Sequence, residues 1–179
     1  MLYLKINGQG YNYNTALMCA LRNKENDKVI QYLCDTFKDE ININKQDISG
    51  YTAFMLAVQQ NANIEIVQYL YNTFKDKIDS NKQGKDGNNV FMLAACFNEN
   101  EKIIQYLCDT FKDKIDINET TNDGYTVFML AAGHNKNDKV MQHLCHTFKD
   151  TVDINKQDKH YDDGIMLPGW PNKHKGGYT

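Results

Sequence analysis

Thr15-Ala-Leu-Met-Cys-Ala20, Thr52-Ala-Phe-Met-Leu-Ala57, Asn89-Val-Phe-Met-Leu-Ala94 and Thr126-Val-Phe-Met-Leu-Ala131 are versions of one hexapeptide, and they begin at steps of 37 residues. A fixed period of this size marks a stacked solenoid, in which each unit buries its apolar face against its neighbours alone. Such stacks offer a long surface to a partner and rarely assemble a catalytic pocket. A chain of 179 residues is long enough for about four to five of these units.

One unit, Gly50 to Asp86, shows the local logic. Ser49-Gly50 is a turn signal, because glycine takes positive φ without steric cost. Thr52 then stands where a hydroxyl caps the first free N–H groups of a helix. Phe54, Met55, Leu56 and Ala57 open a short helix of about two turns, and Asn61-Ala62-Asn63 ends it. Ile66, Val67, Leu70 and Phe74 follow on one face of a second helix. The same second-helix face recurs as Val29, Ile30, Leu33 and Phe37, as Ile103, Ile104, Leu107 and Phe111, and as Val140, Met141, Leu144 and Phe148. The alternation predicts an all-α helix-turn-helix solenoid.

Asp123-Gly-Tyr-Thr-Val-Phe-Met-Leu-Ala-Ala132 resembles the ankyrin repeat's D-G-x-T-P-L-H-L-A-A, and Ile117-Asn118 resembles the V-N before its turn. Four in-phase copies carry the likeness. It implies an ankyrin-like stack over 1–167, with repeats at about 13–49, 50–86, 87–123 and 124–160 and partial units at 1–12 and 161–167. Residues 168–179 are expected to form a C-terminal cap or a loose tail, with Trp170 packed on the final repeat. There are two departures from the family pattern. Met18, Met55, Met92 and Met129 fill the family's His column, so apolar packing is expected to replace that histidine's hydrogen bond to the turn. The period also exceeds the usual length of about 33 residues. One extra residue falls between the helices and three at the end of the second, where Thr-Phe-Lys-Asp replaces a glycine stop.

Composition narrows the function. Formal net charge is −3, which gives no basic excess for a phosphate backbone, so nucleic acid is not the expected partner. No apolar run approaches the roughly 20 residues of a membrane span. The opening Met1-Leu-Tyr-Leu-Lys-Ile6 is too short and too quickly polar for a signal peptide. These features predict a cytoplasmic monomer in a reducing compartment, either in its own cell or, for a viral or bacterial chain, in a host. Cys34, Cys108 and Cys145 share a repeat column with Tyr71, and Cys19 aligns with Leu56, Leu93 and Leu130. All four cysteines are expected in the core, while Cys96 lies in a variable column and is expected at the surface. The abundance of asparagine, lysine, isoleucine and tyrosine is attributed to A/T-rich codons.

Candidate chemistry yields to simpler readings. His134, His143, Cys145 and His146 are near one another in sequence, yet 143 and 145 lie about 200° apart around a helix, which argues against convergence on one ion and leaves a His/Cys metal site or enzyme as the remote alternative. Gly8-Gln-Gly10 lacks the third glycine and preceding strand of a phosphate loop. The methionine column sits inside the most repeated apolar motif and reads as core filler. No catalytic, metal or cofactor residue is expected.

The resemblance implies that a partner protein or peptide meets the turn tips and the exposed end of the first helices, which line a concave face. Carried onto this chain, the candidate residues are Tyr51, Gln59, Gln60, Lys85, Asp86, Asn88, Phe97, Asn122, Asp123, Tyr125 and His134. The same columns include Tyr11, Arg22, Asn23 and Ile48. Phe97 is the sharpest candidate, since its column otherwise holds Asn23, Gln60 and His134, and Tyr51 and Tyr125 are expected to flank it as an aromatic anchor. A recruitment or inhibitory fragment of a larger multidomain protein is the alternative function. The resemblance further implies that Asn44, Asn81, Asn118 and Asn155 match an asparagine that some ankyrin repeats offer for hydroxylation.

Overall fold

A computed structural model of the chain describes residues 5–23, 25–60 and 63–153. The expected partial unit at 161–167, residues 168–179 with Trp170, and Asn155 lie outside them. Among the described residues the regular elements are helical: a short 3-10 turn at Tyr11–Tyr13 is followed by α-helices that come in pairs. The first helices are α1 (Ala16–Leu21), α3 (Ala53–Gln60), α5 (Val90–Phe97) and α7 (Val127–His134). The second helices are α2 (Asp27–Phe37), α4 (Ile64–Phe74), α6 (Glu101–Phe111) and α8 (Asp138–Phe148). Each helix packs against its own partner and against its equivalents in neighbouring pairs: α5 lies between α3 and α7, and α6 between α4 and α8. The fold is the all-α helical stack that the period predicts.

The first helices start as the sequence suggests, with one correction. Thr15, Thr52 and Thr126 accept a hydrogen bond through Oγ1 from the backbone N–H three residues on, at 3.4, 3.3 and 3.3 Å. Asn89 does the same job in the third pair, accepting from Phe91 N and Met92 N. The sulfurs of Met18, Met55 and Met129 reach back to accept from the threonine N–H at 3.4 to 3.5 Å. The methionine column is therefore buried, as apolar packing requires, yet it also supplies a weak thioether acceptor where a capping box carries Glu or Gln. The expected loss of a polar role at this column is only partial.

Asparagine starts the second helices as well. Asn63, Asn100 and Asn137 accept from the N–H two residues on, and Glu65, Glu101 and Asp138 place negative charge in the first turn. The helices end without glycine. The carbonyl of the last phenylalanine accepts two N–H groups from the turn that follows: Glu40 and Ile41 on Phe37, Lys77 and Ile78 on Phe74, Thr151 and Val152 on Phe148. Lys38, Lys75, Lys112 and Lys149 remain in the right-handed region while the chain turns, with the Lys-Asp pairs in solvent.

Two sets of columns form the core. Leu17, Phe54, Phe91, the Ile30 column and the Cys34 column face the following pair. The Ala16, Cys19, Val29, Leu33 and Phe37 columns face the preceding one. Rings meet across these boundaries: Phe54 lies 6.1 Å from Phe111, Phe91 lies 5.9 Å from Phe148, and Tyr71 packs edge-on to Tyr106 and Phe111. Two cysteine expectations fail for one reason. Cys19 and Cys145 are exposed, because they lie on the outer flanks of the first and last described pairs, where no other described pair covers their columns. Cys96 is half-buried rather than a surface residue.

The turns stack in register. Gly50, Gly87 and Gly124 take φ of 82°, 83° and 91°. A Cβ at Gly87 would come within 2.6 Å of Asn122 N, so both conformation and space demand glycine there. Tyr13 occupies the equivalent place in the first pair, at φ 59°. Successive turn tips are joined by backbone bonds from Ile48 N to Asn12 O, Lys85 N to Ser49 O and Asn122 N to Asp86 O, at 2.8 to 2.9 Å. Side-chain amides add two further ladders. Gln9 and Gln46 each donate to the carbonyl 37 residues on. Asn7, Asn44 and Asn118 each donate to a carbonyl of the next unit and accept an N–H from it. Much of the asparagine thus has structural work, which codon bias alone does not explain.

Candidate partner-binding face

The turn tips and first helices form one continuous face, and its backbone is held from beneath. Asp47 anchors the second turn. Its carboxylate accepts from Ser49 N and Tyr51 N at 2.9 Å and from Arg22 Nη2 at 2.5 Å, and it is buried. Arg22 also donates through Nε to Asn14 Oδ1 at 3.1 Å. A charge-assisted set of this kind fixes the arginine in place, so Arg22 braces two turns rather than waiting for a ligand.

Several of the residues carried over as partner-binding share that bracing role. The ring of Tyr51 lies over Gly84, where a Cβ would come within 2.3 Å of it, and its hydroxyl donates to Asp86 Oδ2. Asp86 also accepts from Asn88 N at 3.0 Å and Asn88 Nδ2 at 2.7 Å. Burial first, and then the hydrogen bond to Asp86, push the Tyr51 hydroxyl well above its ordinary value. Partial burial works to raise the Asp86 carboxyl, but the bonds from Tyr51 and Asn88 outweigh it and hold the group below the usual range. Tyr51, Asp86 and Asn88 are thus brought together, as a clamp between consecutive turns. Asn122 joins them through Nδ2 to Lys85 O at 2.6 Å and through its N–H to Asp86 O. Tyr125 N donates to Thr121 Oγ1, and its ring is half-buried.

The remaining candidates point outward. Phe97, the last residue of α5, is 55 % exposed. His134 is exposed at the equivalent end of α7, Lys85 and Asp123 are exposed at the tips, and Gln59 and Gln60 are half-buried at the end of α3. Phe97 does not join an aromatic anchor with the tyrosines. Tyr51 and Tyr125 precede the first helix of their units and Phe97 ends one, so a helix length of roughly 12 Å separates the two levels. Among the described residues neither Tyr51 nor Phe97 makes a ring–ring contact. The backbone beneath Phe97 is firm: Asn98 N–H donates to Ala94 O, and Asn98 Nδ2 reaches Val58 O of the preceding pair at 2.7 Å.

Sequence reasoning passed over Tyr13. Tyr11, Tyr13 and Ile48 are 90 %, 59 % and 45 % exposed at the tips of the first two turns. The signal was present, since Tyr13 stands in the column that continues as Gly50, Gly87 and Gly124, so a large ring there has no counterpart in the later units.

Nothing on this face or elsewhere among the described residues gathers three or more His, Cys, Asp or Glu side chains around a point that could hold a metal ion. Burial pushes the Cys34 thiol up to about 12 and those of Cys96 and Cys108 to about 11, which leaves them protonated and poor nucleophiles near neutrality. The depression between α4 and α6, around Ile64, Lys102 and Tyr106, is shallow and open. No helix among the described residues is long and apolar enough to cross a membrane.

Stacked helix pairs joined by register-matched turns define a helical repeat protein. The family model described as ankyrin repeats (3 copies) matches residues 2–83 and 72–158, and the chain belongs to the ankyrin-repeat family. Comparison with curated proteins returns no match. Ankyrin repeats are generally protein–protein interaction modules and are typically non-enzymatic.

Proposed function

We propose that this chain is a non-enzymatic interaction module that holds a protein or peptide against a concave face built from its turn tips and first helices. The observation that carries the reading is Phe97, an aromatic with more than half its surface in water on a helix end whose backbone is tied to the preceding pair. An exposed aromatic on a fixed support loses little conformational freedom when it is covered. Tyr11, Tyr13, Ile48, Lys85, Asp123, Gln60 and His134 extend the contact, while Tyr51, Asp86, Asn88 and Asn122 keep its shape. Five free cysteines, two of them buried, suit a cytoplasmic setting.

The test is site-specific photo-crosslinking in the cell of origin, with the photoreactive residue at position 97, at position 134, or at Gln105 on the outer surface. Adducts of one protein at 97 and 134 but not at 105 are expected. With that partner purified, Phe97→Ala is expected to weaken binding about ten-fold or more, roughly 1.4 kcal/mol, with the melting temperature within a few degrees of wild type. Adducts from 105 alone would place the working surface on the second helices instead.

A further inference from the structure

The first helix pair exposes apolar positions that the rest of the molecule buries. Val29 is 46 % exposed, whereas its equivalents Ile66, Ile103 and Val140 are at 1 %, 0 % and 0 %. Ala16 and Cys19 are exposed and Leu33 and Phe37 half-buried, while every equivalent of these four residues in the later pairs is buried. Inside the chain these columns are covered by the following-facing side of the preceding pair. Phe54 and Phe91 rest on the rings of Phe111 and Phe148, Tyr71 rests on Tyr106 and Phe111, and Tyr69 Oη donates across the boundary to Asp35 Oδ1 at 2.6 Å.

That covering side reopens at the other end. Ala132 and Cys145 are exposed and Phe128 and Met141 half-buried, where Ala95, Cys108, Phe91 and Ile104 are buried. Among the described residues the stack therefore presents, at opposite ends, the two matching halves of an interface it already forms between successive first helices.

We propose that a second copy of this chain stacks head to tail on the first, with the Phe128–Cys145 flank of one molecule covering the Val29–Phe37 flank of the next. The internal boundaries specify the contacts. Phe128 meets Phe37 of the second copy as Phe91 meets Phe148. Cys145 meets Tyr32 and Phe37 of the second copy as Tyr71 meets Tyr106 and Phe111. The hydroxyl of Tyr32, 65 % exposed in the single chain, takes the place of Tyr69 and reaches His146, which stands in the Asp35 column. A head-to-tail contact of this kind does not close on itself, so it builds short rows rather than stopping at a symmetric pair. The association is therefore concentration-dependent, and it replaces the monomer expected from sequence. It uses the ends of the stack and is independent of the face proposed above.

Sedimentation of the full chain in reducing buffer, across a hundred-fold concentration range, reads this directly. Weight-average mass is expected to rise above the 20.7 kDa of one chain. Val29→Glu and Cys145→Glu, both at exposed positions, are each expected to sediment as single chains with melting temperatures near that of wild type. Mixed in equal amounts, the two variants are expected to form one-to-one pairs that grow no further, since one keeps its C-terminal flank and the other its N-terminal flank. A wild-type mass that stays at one chain throughout would overturn the proposal. So would a Cys145→Glu variant that still pairs, which means flank-to-like-flank contact, or a mixture in which folded variants form no pairs.

Discussion

Tyr13 and Gly87 occupy the same place in their units, and the left-handed backbone there treats them differently. At Gly87 a side chain meets both an unfavourable φ of 83° and the backbone of the next turn. Gly87→Ala is expected to lower stability by about 2 kcal/mol or more in urea titration, with an unchanged denaturant slope. Tyr13→Gly relieves the conformation at an exposed site and should leave stability equal or slightly higher, since the relief of about 1–2 kcal/mol is offset by glycine's greater unfolded freedom. A clear loss would show that the Tyr13 ring packs in a way its 59 % exposure does not suggest. The thiols give a pH signature. Cys34, Cys96 and Cys108 hold their protons more tightly folded, at about 12, 11 and 11, than at the ordinary 9.0. Below pH 9 they add no pH dependence. Between pH 9 and about 12 the unfolded chain releases protons that the folded chain keeps, so stability falls as pH rises through that window. Denaturation midpoints measured from pH 7 to 10.5 should be flat at first and then decline.

Within each helix pair, the apolar columns were readable because every unit spells them again, and a 3.6-residue period over 11 residues leaves little doubt about the face. Three things were not readable. Cys19 and Cys145 were assigned to the core because alignment treats every unit as having two neighbours. The methionine sulfurs were credited with packing alone, since a thioether is seldom counted as an acceptor. The asparagines were attributed to codon usage and the glutamine column was passed over, although Gln9, Gln46 and Gln83 recur at the same 37-residue step as the core, with Gln9 and Gln46 each donating to the carbonyl one step on. The candidate site was read less well than the fold, because a column that varies between units is free of helix packing but not of bracing between turns, as Tyr51, Arg22 and Asp86 show. Asn98 tests what a single buried amide between units contributes. Asn98→Ala leaves the Val58 carbonyl without its buried donor and is expected to cost about 1–3 kcal/mol, whereas Gln105→Ala on the outer surface should stay within about 0.5 kcal/mol. Equal effects from the two would mean that water replaces the Asn98 amide freely.

Across the whole stack, stability is shared between neighbours and never between distant units. The middle pairs are covered on both sides and the first pair on one, and its α1 has six residues against eight in α3, α5 and α7. Amide hydrogen exchange should therefore show the highest opening free energies in α3 to α6 and lower ones in α1 and α2. Uniform protection from α1 to α8 would indicate a single cooperative block instead. The ladders carry one more implication. Backbone tips, glutamine amides and asparagine amides all reach across a span of one period, so every donor finds its acceptor only if the units on either side have the same length. A recombination event that copies or removes a whole period rejoins these partners without loss, and one that slips by a few residues strands all three rows at once. The reach of this protein is thus heritable in whole steps, since a change of one full period keeps the backbone bonds between turn tips in phase.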